Sequence, residues 1–200
     1  NFMNPNNGKA NMSYAYTYAL FLSEVEVDSH TGKTTVLSIT CVDRVGKIGN
    51  IQSVDGQAYG GMSHSIGFAL SENYEDVKKD TNILKAGVPY IKDIPDDMNV
   101  IHIDEYDEYG PFGSSGASEA YQSGGHMAVI NGIYNACGVR IHELPATAEK
   151  VKAGIDAMAN GKMNPNIPEK YYLGSDFYTE IENIIDNPIE NWNDQTNACD

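Results

Sequence analysis

Positive charge is what this chain has least of. Thirteen lysines and arginines stand against 28 acidic residues, and the net charge is −15 at neutral pH. Nucleic-acid backbones and anionic membrane surfaces are both held by clustered Lys and Arg, so the balance argues against either as a partner. Cysteine is nearly as scarce. Cys41, Cys137 and Cys199 lie far apart, with no C-x-x-C or other close pair. A self-contained zinc or iron–sulfur site is thereby excluded, and an odd count at wide spacing fits reduced thiols in a cytoplasmic setting. Long apolar runs are missing as well. None reaches the roughly 18 residues of a membrane span, and the opening lacks a charged-then-apolar leader, so neither a span nor a signal peptide is expected. The chain opens at Asn1 rather than Met and reads as a fragment or processed product.

What is present suits a folded domain. The apolar share is 41% over 200 residues, enough for a core. Residues 1–13 read as loop. Residues 14–27 and 34–42 are β-prone and flank a turn at 28–33 with Gly32, which predicts a hairpin. A helix is expected over 53–71 with Ser53 as its N-cap. It carries Gly56, Gly60, Gly61 and Gly67, and since each glycine costs a helix about 1 kcal/mol relative to alanine, close packing or a ligand is implied. Residues 74–85 form an acidic surface excursion and 88–95 run extended between prolines. Strands are expected at 99–103 and 139–141, and helices at 120–137 and 147–159. Met127, Ile130, Ile133 and Tyr134 mark the buried face of the first of these helices. The fold class is α+β, in mixed α/β layers. Residues 1–160 form the domain proper, and 161–200 an irregular acidic tail with one short helix, where Ile181, Ile184 and Ile185 dock.

The most informative stretch is Gly110-Pro111-Phe112-Gly113-Ser114-Ser115-Gly116-Ala117-Ser118-Glu119. Small residues let a backbone approach a bulky ligand, and a helix N-terminus offers unpaired N–H groups. Glu119 at that junction is placed to act as a base. The same residues also read as a plain helix start, with Ser118 as N-cap and Glu119 favouring the dipole.

The order of features is more specific than any one of them. Glu24-Val25-Glu26-Val27-Asp28 with Thr31-Gly32 comes first, then Val45-Gly46-Lys47-Ile48, then Val54-Asp55-Gly56-Gln57 leading into Gly60-Gly61 and Ile66-Gly67-Phe68-Ala69-Leu70. Pro89 with Asp93-Ile94-Pro95, Gly116-x-x-Glu119, Gly138-Val139-Arg140-Ile141 and Leu144-Pro145-Ala146 complete the series. Over residues 12–158 this resembles the C-terminal part of the molybdenum-cofactor-binding subunit of the molybdenum hydroxylases, the xanthine oxidase and aldehyde oxidoreductase family, and its bacterial aldehyde oxidoreductases most of all.

The resemblance implies a molybdopterin-type domain and the oxidation of an aldehyde to a carboxylic acid with water-derived oxygen. Glu119 would be the base on the molybdenum-bound hydroxyl. Gln57, Gly61, His64, Gly116, Ala117 and Ser118 would line the cofactor, molybdopterin in its cytosine dinucleotide form. The metal would be held by the pterin sulfurs and by no side chain of this chain. Iron–sulfur clusters, with FAD as an open addition, would lie on regions or subunits outside it. The rest of the molybdenum subunit, the iron–sulfur domains and a second copy in a homodimer are the implied partners, and the chain alone is expected to be inactive. Hydroxylation of an aromatic N-heterocycle of the purine or nicotinate type, and a non-catalytic module that kept the fold, are the alternatives.

Some positions depart from the family pattern. Ala117 and Ser118 stand where Val-Gly is common, and His64 stands where Gln is common, either as an equivalent hydrogen-bonding group or as a half-buried structural histidine. Asp104, Glu105, Asp107 and Glu108 lack a Ca²⁺-loop pattern and read as a solvated acidic face. Tyr14, Tyr16 and Tyr18 read as packing residues.

Overall fold

In the computed structural model the hairpin forms as expected. Strand β1 (Tyr18–Val27) pairs antiparallel with β2 (Thr34–Arg44) across a turn in which Gly32 adopts a φ of 77° and the Asp28 carboxylate accepts the His30 N–H at 2.8 Å. Strand β3 (Asp97–His102) lies parallel to β2, giving the sheet order β1-β2-β3. Parallel neighbours need a crossover, and helix α1 (Ile51–Leu70) lies within it. Helices α2 (Ser118–Cys137) and α3 (Ala148–Ala159) complete the order. The structure describes residue 13, residues 15–74 and residues 76–166. Residues 15–166 belong to one compact unit; the other, Asn1–Tyr14 with Pro168–Asp200, lies almost wholly outside the described residues. So do Tyr14, Cys199 and most of the expected 161–200 tail with its docking isoleucines.

The core lies between the inner face of the sheet and the helices. Ile39, Cys41 and Asp43 of β2 alternate inward, as a strand's period of two requires. A register shift between Glu24 and Val25 brings Val36 inward as well. Ala58, Met62, Ile66 and Ala69 of α1 repeat at helical spacing against them. Glycines set how closely the layers approach. A Cβ on Gly61 would stand 2.5 Å from Tyr121 Cβ, and one on Gly125 2.8 Å from Ser65 Cβ, so α1 and α2 meet almost backbone to backbone. Gly124 and Gly132 likewise make room for Phe21 and Val25 of β1.

Several expectations are corrected. Helix α1 starts at Ile51 with Asn50 as N-cap, its side chain accepting the Ser53 N–H at 3.1 Å; Ser53 is a donor inside the first turn. The buried stripe of α2 is Tyr121, Gly125, Val129, Ile130 and Ile133, while Met127 and Tyr134 stand outward. Arg140 covers Tyr134 instead, its guanidinium 3.4 Å from the ring centroid. Residues 139–141 form no strand, because no strand runs beside them among the described residues; Val139 and Ile141 are nevertheless buried. The 88–95 segment includes a short 3₁₀ turn, Ile91–Asp93, closed by the Tyr90 N–H on the Asp93 carboxylate. Tyr16, just before β1, and Tyr18, at its start, are exposed rather than packed.

Candidate functional site

The small-residue loop before α2 is held by the chain that follows β2. Gly113 O accepts the Lys47 N–H at 2.6 Å and the Asp107 N–H at 2.9 Å, and the Ser115 N–H donates to Val45 O at 2.8 Å. Ser114 Oγ donates to Lys47 O, and Thr17 Oγ1 to Gly116 O. Three ion pairs secure the same region, one of them Arg44 Nε with Glu105 at 3.4 Å. Arg44 Nη1 lies 2.7 Å from Asp107, and Lys47 Nζ 2.7 Å from Asp104. Asp104, Glu105 and Glu108 are exposed, as a solvated acidic face requires, while Asp107 is buried and, with Asp104, clasps the loop. The Arg44 guanidinium first, then the Tyr109 N–H, holds the Asp107 carboxyl below its ordinary range, and Lys47 followed by the Ile48 N–H does the same for Asp104.

Helix α1 presents its outer face to this anchored loop. Gly56, Gln57, Gly60, Gly61 and His64 of α1 line a pocket of about 200 Å³ with Ser118 and Gln122 of α2. Ser118 Oγ donates to Gln57 Oε1 at 2.5 Å, tying the two helices at the pocket. Ser118 is thus the first helical residue and turns its hydroxyl across the site, while Ala117 occupies the N-cap position with no side-chain cap. Gly56, Gly60 and Gly116 have nothing within 4 Å of where a Cβ would stand, so backbone is open there.

The structure brings Gln57, Gly61, His64 and Ser118 onto one pocket. His64 is exposed there, not half-buried, and lies near Glu72, whose carboxyl is raised by burial and held back by the imidazole. Glu119 follows Ser118 in the first turn of α2, exposed, just outside the lining. Gly116 is exposed beside it, and Ala117 packs its side chain against the core. Gln122 was not foreseen; its signal is its place one helical turn after Ser118. The pocket's donors and acceptors are amides, an imidazole and a hydroxyl, with no carboxylate among them. Among the described residues no group of His, Cys, Asp or Glu is arranged to hold a metal ion, and no helix is long and apolar enough to cross a membrane. A larger cavity of about 590 Å³ lies between Thr34–Val36, the end of α1 and the 84–96 segment, and none of the expected site residues lines it.

Known proteins resemble this chain in sequence and fold. A family model described as a molybdopterin cofactor-binding domain matches residues 1–95. The aldehyde oxidoreductase of Megalodesulfovibrio gigas is 44% identical over 142 residues, covering 71% of this chain and 16% of that protein. The crystal structure of the aldehyde oxidoreductase from Desulfovibrio desulfuricans superposes with a TM-score of 0.68 at 50% identity, over 70% of this chain and 15% of that one. Quinoline 2-oxidoreductase from Pseudomonas putida superposes with a TM-score of 0.59 at 28% identity, over 66% and 18%. The chain therefore spans about a sixth of the length of the relatives it matches.

Proposed function

The chain belongs to the molybdenum hydroxylase family, as a segment of its molybdopterin-binding part, and from that premise we propose that it forms one wall of the cofactor site of an enzyme oxidising an aldehyde to a carboxylic acid. The observation that carries this reading is the pocket at which Gln57, Gly61, His64 and Ser118 meet, with Glu119 one residue beyond. The pocket suits a polar heterocycle. Open glycine backbone at Gly56 and Gly60 admits a flat, bulky group, and Gln57, His64, Ser118 and Gln122 offer it both donors and acceptors. Molybdopterin, in the proposed cytosine dinucleotide form, fits that description. When bound it supplies the two-electron oxidation and the activation of water.

The work of this chain is then to hold and to take a proton. Gln57 and Ser118 hydrogen-bond each other and so present a fixed edge to the pterin. Glu119 stands in the first turn of α2, directly after a loop that backbone hydrogen bonds of Gly113 and Ser115 to Lys47 and Val45 keep in place, and its carboxylate accepts the proton released as water-derived oxygen reaches the substrate carbon. An aldehyde is favoured over a purine because both arginines are committed elsewhere. Arg44 pairs with Asp107, Arg140 covers Tyr134, and neither lines the pocket. The remainder of the molybdenum subunit and the iron–sulfur domains are the proposed partners, in a cytoplasmic homodimer, and the isolated segment is expected to be inactive. The test is aldehyde turnover by the assembled enzyme carrying Glu119→Gln, with molybdenum assayed alongside. Metal kept and turnover lost supports the role of Glu119; full turnover removes it.

A further inference from the structure

Behind the pocket wall a histidine is held between two carboxylates. His102, which ends β3, places Nδ1 2.7 Å from Asp43 Oδ2 on β2 and Nε2 2.9 Å from Asp55 Oδ1, one turn into α1. The imidazole side chain is 8% exposed and that of Asp43 0%, whereas that of Asp55 is 38% exposed. A neutral imidazole has one donor and one acceptor, so only the imidazolium can donate to both carboxylates. Burial is the largest single influence and opposes that charge. The hydrogen bonds and charges of Asp43 and Asp55 together outweigh it, and the net shift is upward from the ordinary value of 6.5.

Two other titratable groups share this space, and both are kept neutral. Burial first and the Asp43 carboxylate second raise the Tyr121 hydroxyl on α2, and in the same order push the Cys41 thiol of β2 up to about 12. The Tyr121 hydroxyl faces the same Asp43 carboxylate, whose hydrogen bonding adds to its rise. The His102 ring carries a hydrogen bond to the buried Asp43 and passes the restraint on to α1 through Asp55. Asp55 precedes Gln57 by two residues, and Tyr121 follows Ser118 by three.

We propose that His102 is a positioning residue: by bridging Asp43 and Asp55 it fixes the N-terminal half of α1, and with it Gln57, opposite Ser118 at the cofactor wall. The proposal rests on the function proposed above for that wall. Its sign with pH is defined. The bridge is complete below the ordinary histidine value of 6.5 and is lost as pH rises through the elevated value in the fold. The half-exposed Asp55 contact is the one released, since water can replace it.

The experiment is hydrogen exchange of peptides covering residues 50–60 in the assembled enzyme over roughly pH 6 to 10, corrected for intrinsic exchange, with molybdenum content measured in parallel. Wild type is expected to show a step to roughly tenfold or greater exchange, the scale of one charged hydrogen bond. His102→Gln has no titrating ring, so the step disappears, exchange is fast throughout and molybdenum content falls several-fold. Asp55→Asn keeps an acceptor for Nε2–H but removes a charge, which moves the step to lower pH; it also preserves the test if His102→Gln does not fold. A step that persists in His102→Gln, or one that does not move in Asp55→Asn, overturns the proposal. A lost step with unchanged molybdenum content also overturns it, since the bridge then serves stability alone. A wild-type enzyme without molybdenum overturns the proposed function instead, and the exchange data then decide the bridge by themselves.

Discussion

Gly60 and Gly61 are neighbours in sequence and opposites in use. A Cβ at Gly61 would stand 2.5 Å from Tyr121 Cβ, whereas at Gly60 nothing lies within 4 Å. Each costs its helix about 1 kcal/mol relative to alanine, and only at Gly61 does contact within the chain offset that loss. The other glycines divide the same way. Gly67, Gly124, Gly125 and Gly132 make room for Glu72, Phe21, Ser65 and Val25, while Gly56 and Gly116 face open space. The packed glycines serve the fold. Of the open ones, Gly56 and Gly60 line the pocket and Gly116 lies just before it, whereas Gly49 and Gly161 stand elsewhere.

Substitutions can sharpen or break this division. The largest effect is expected on the open side. Glu119→Gln in the assembled enzyme should lower aldehyde turnover roughly 10²–10⁴-fold, the usual contribution of a general base, with molybdenum retained. Next comes the packed side. Gly61→Ala forces α1 from α2, and chemical denaturation should show a loss of about 1–3 kcal/mol. Gly60→Ala should behave in the opposite sense, gaining up to about 1 kcal/mol in the same assay through helix propensity; a loss like that of Gly61→Ala would collapse the distinction. The smallest effect belongs to the clasp behind the loop. Asp107 contributes stability above its ordinary value of 3.8 and loses that contribution as pH falls through its depressed value, so Asp107→Asn should flatten the acid limb of the unfolding profile between those two values.

How much of this was legible beforehand depended on how local the cause was. The hairpin and the three helices rest on periodicity and turn residues near in sequence, and they stand within a few residues of expectation. The helix starts were less legible. Asn50 and Ser53 are both good caps, and only the geometry shows Asn50 accepting from the Ser53 N–H. Ser118 looked like a cap because its partner, Gln57, lies 61 positions away. On α2 the expected Ile130 and Ile133 are buried, but Gly125 belongs to the same face and carries no apolar signal, while Met127 and Tyr134 carry that signal and face outward. The site residues came from resemblance and from the order of motifs. His102, Asp43 and Asp55 had no spacing to reveal them, since three separate elements bring them together.

The central claim is that the open face of α1 is shaped for a bound cofactor, and molybdenum per assembled enzyme in Gly60→Ala tests it most directly. The account predicts a content well below wild type in a protein whose unfolding midpoint is no lower. Full molybdenum content in that variant would contradict it.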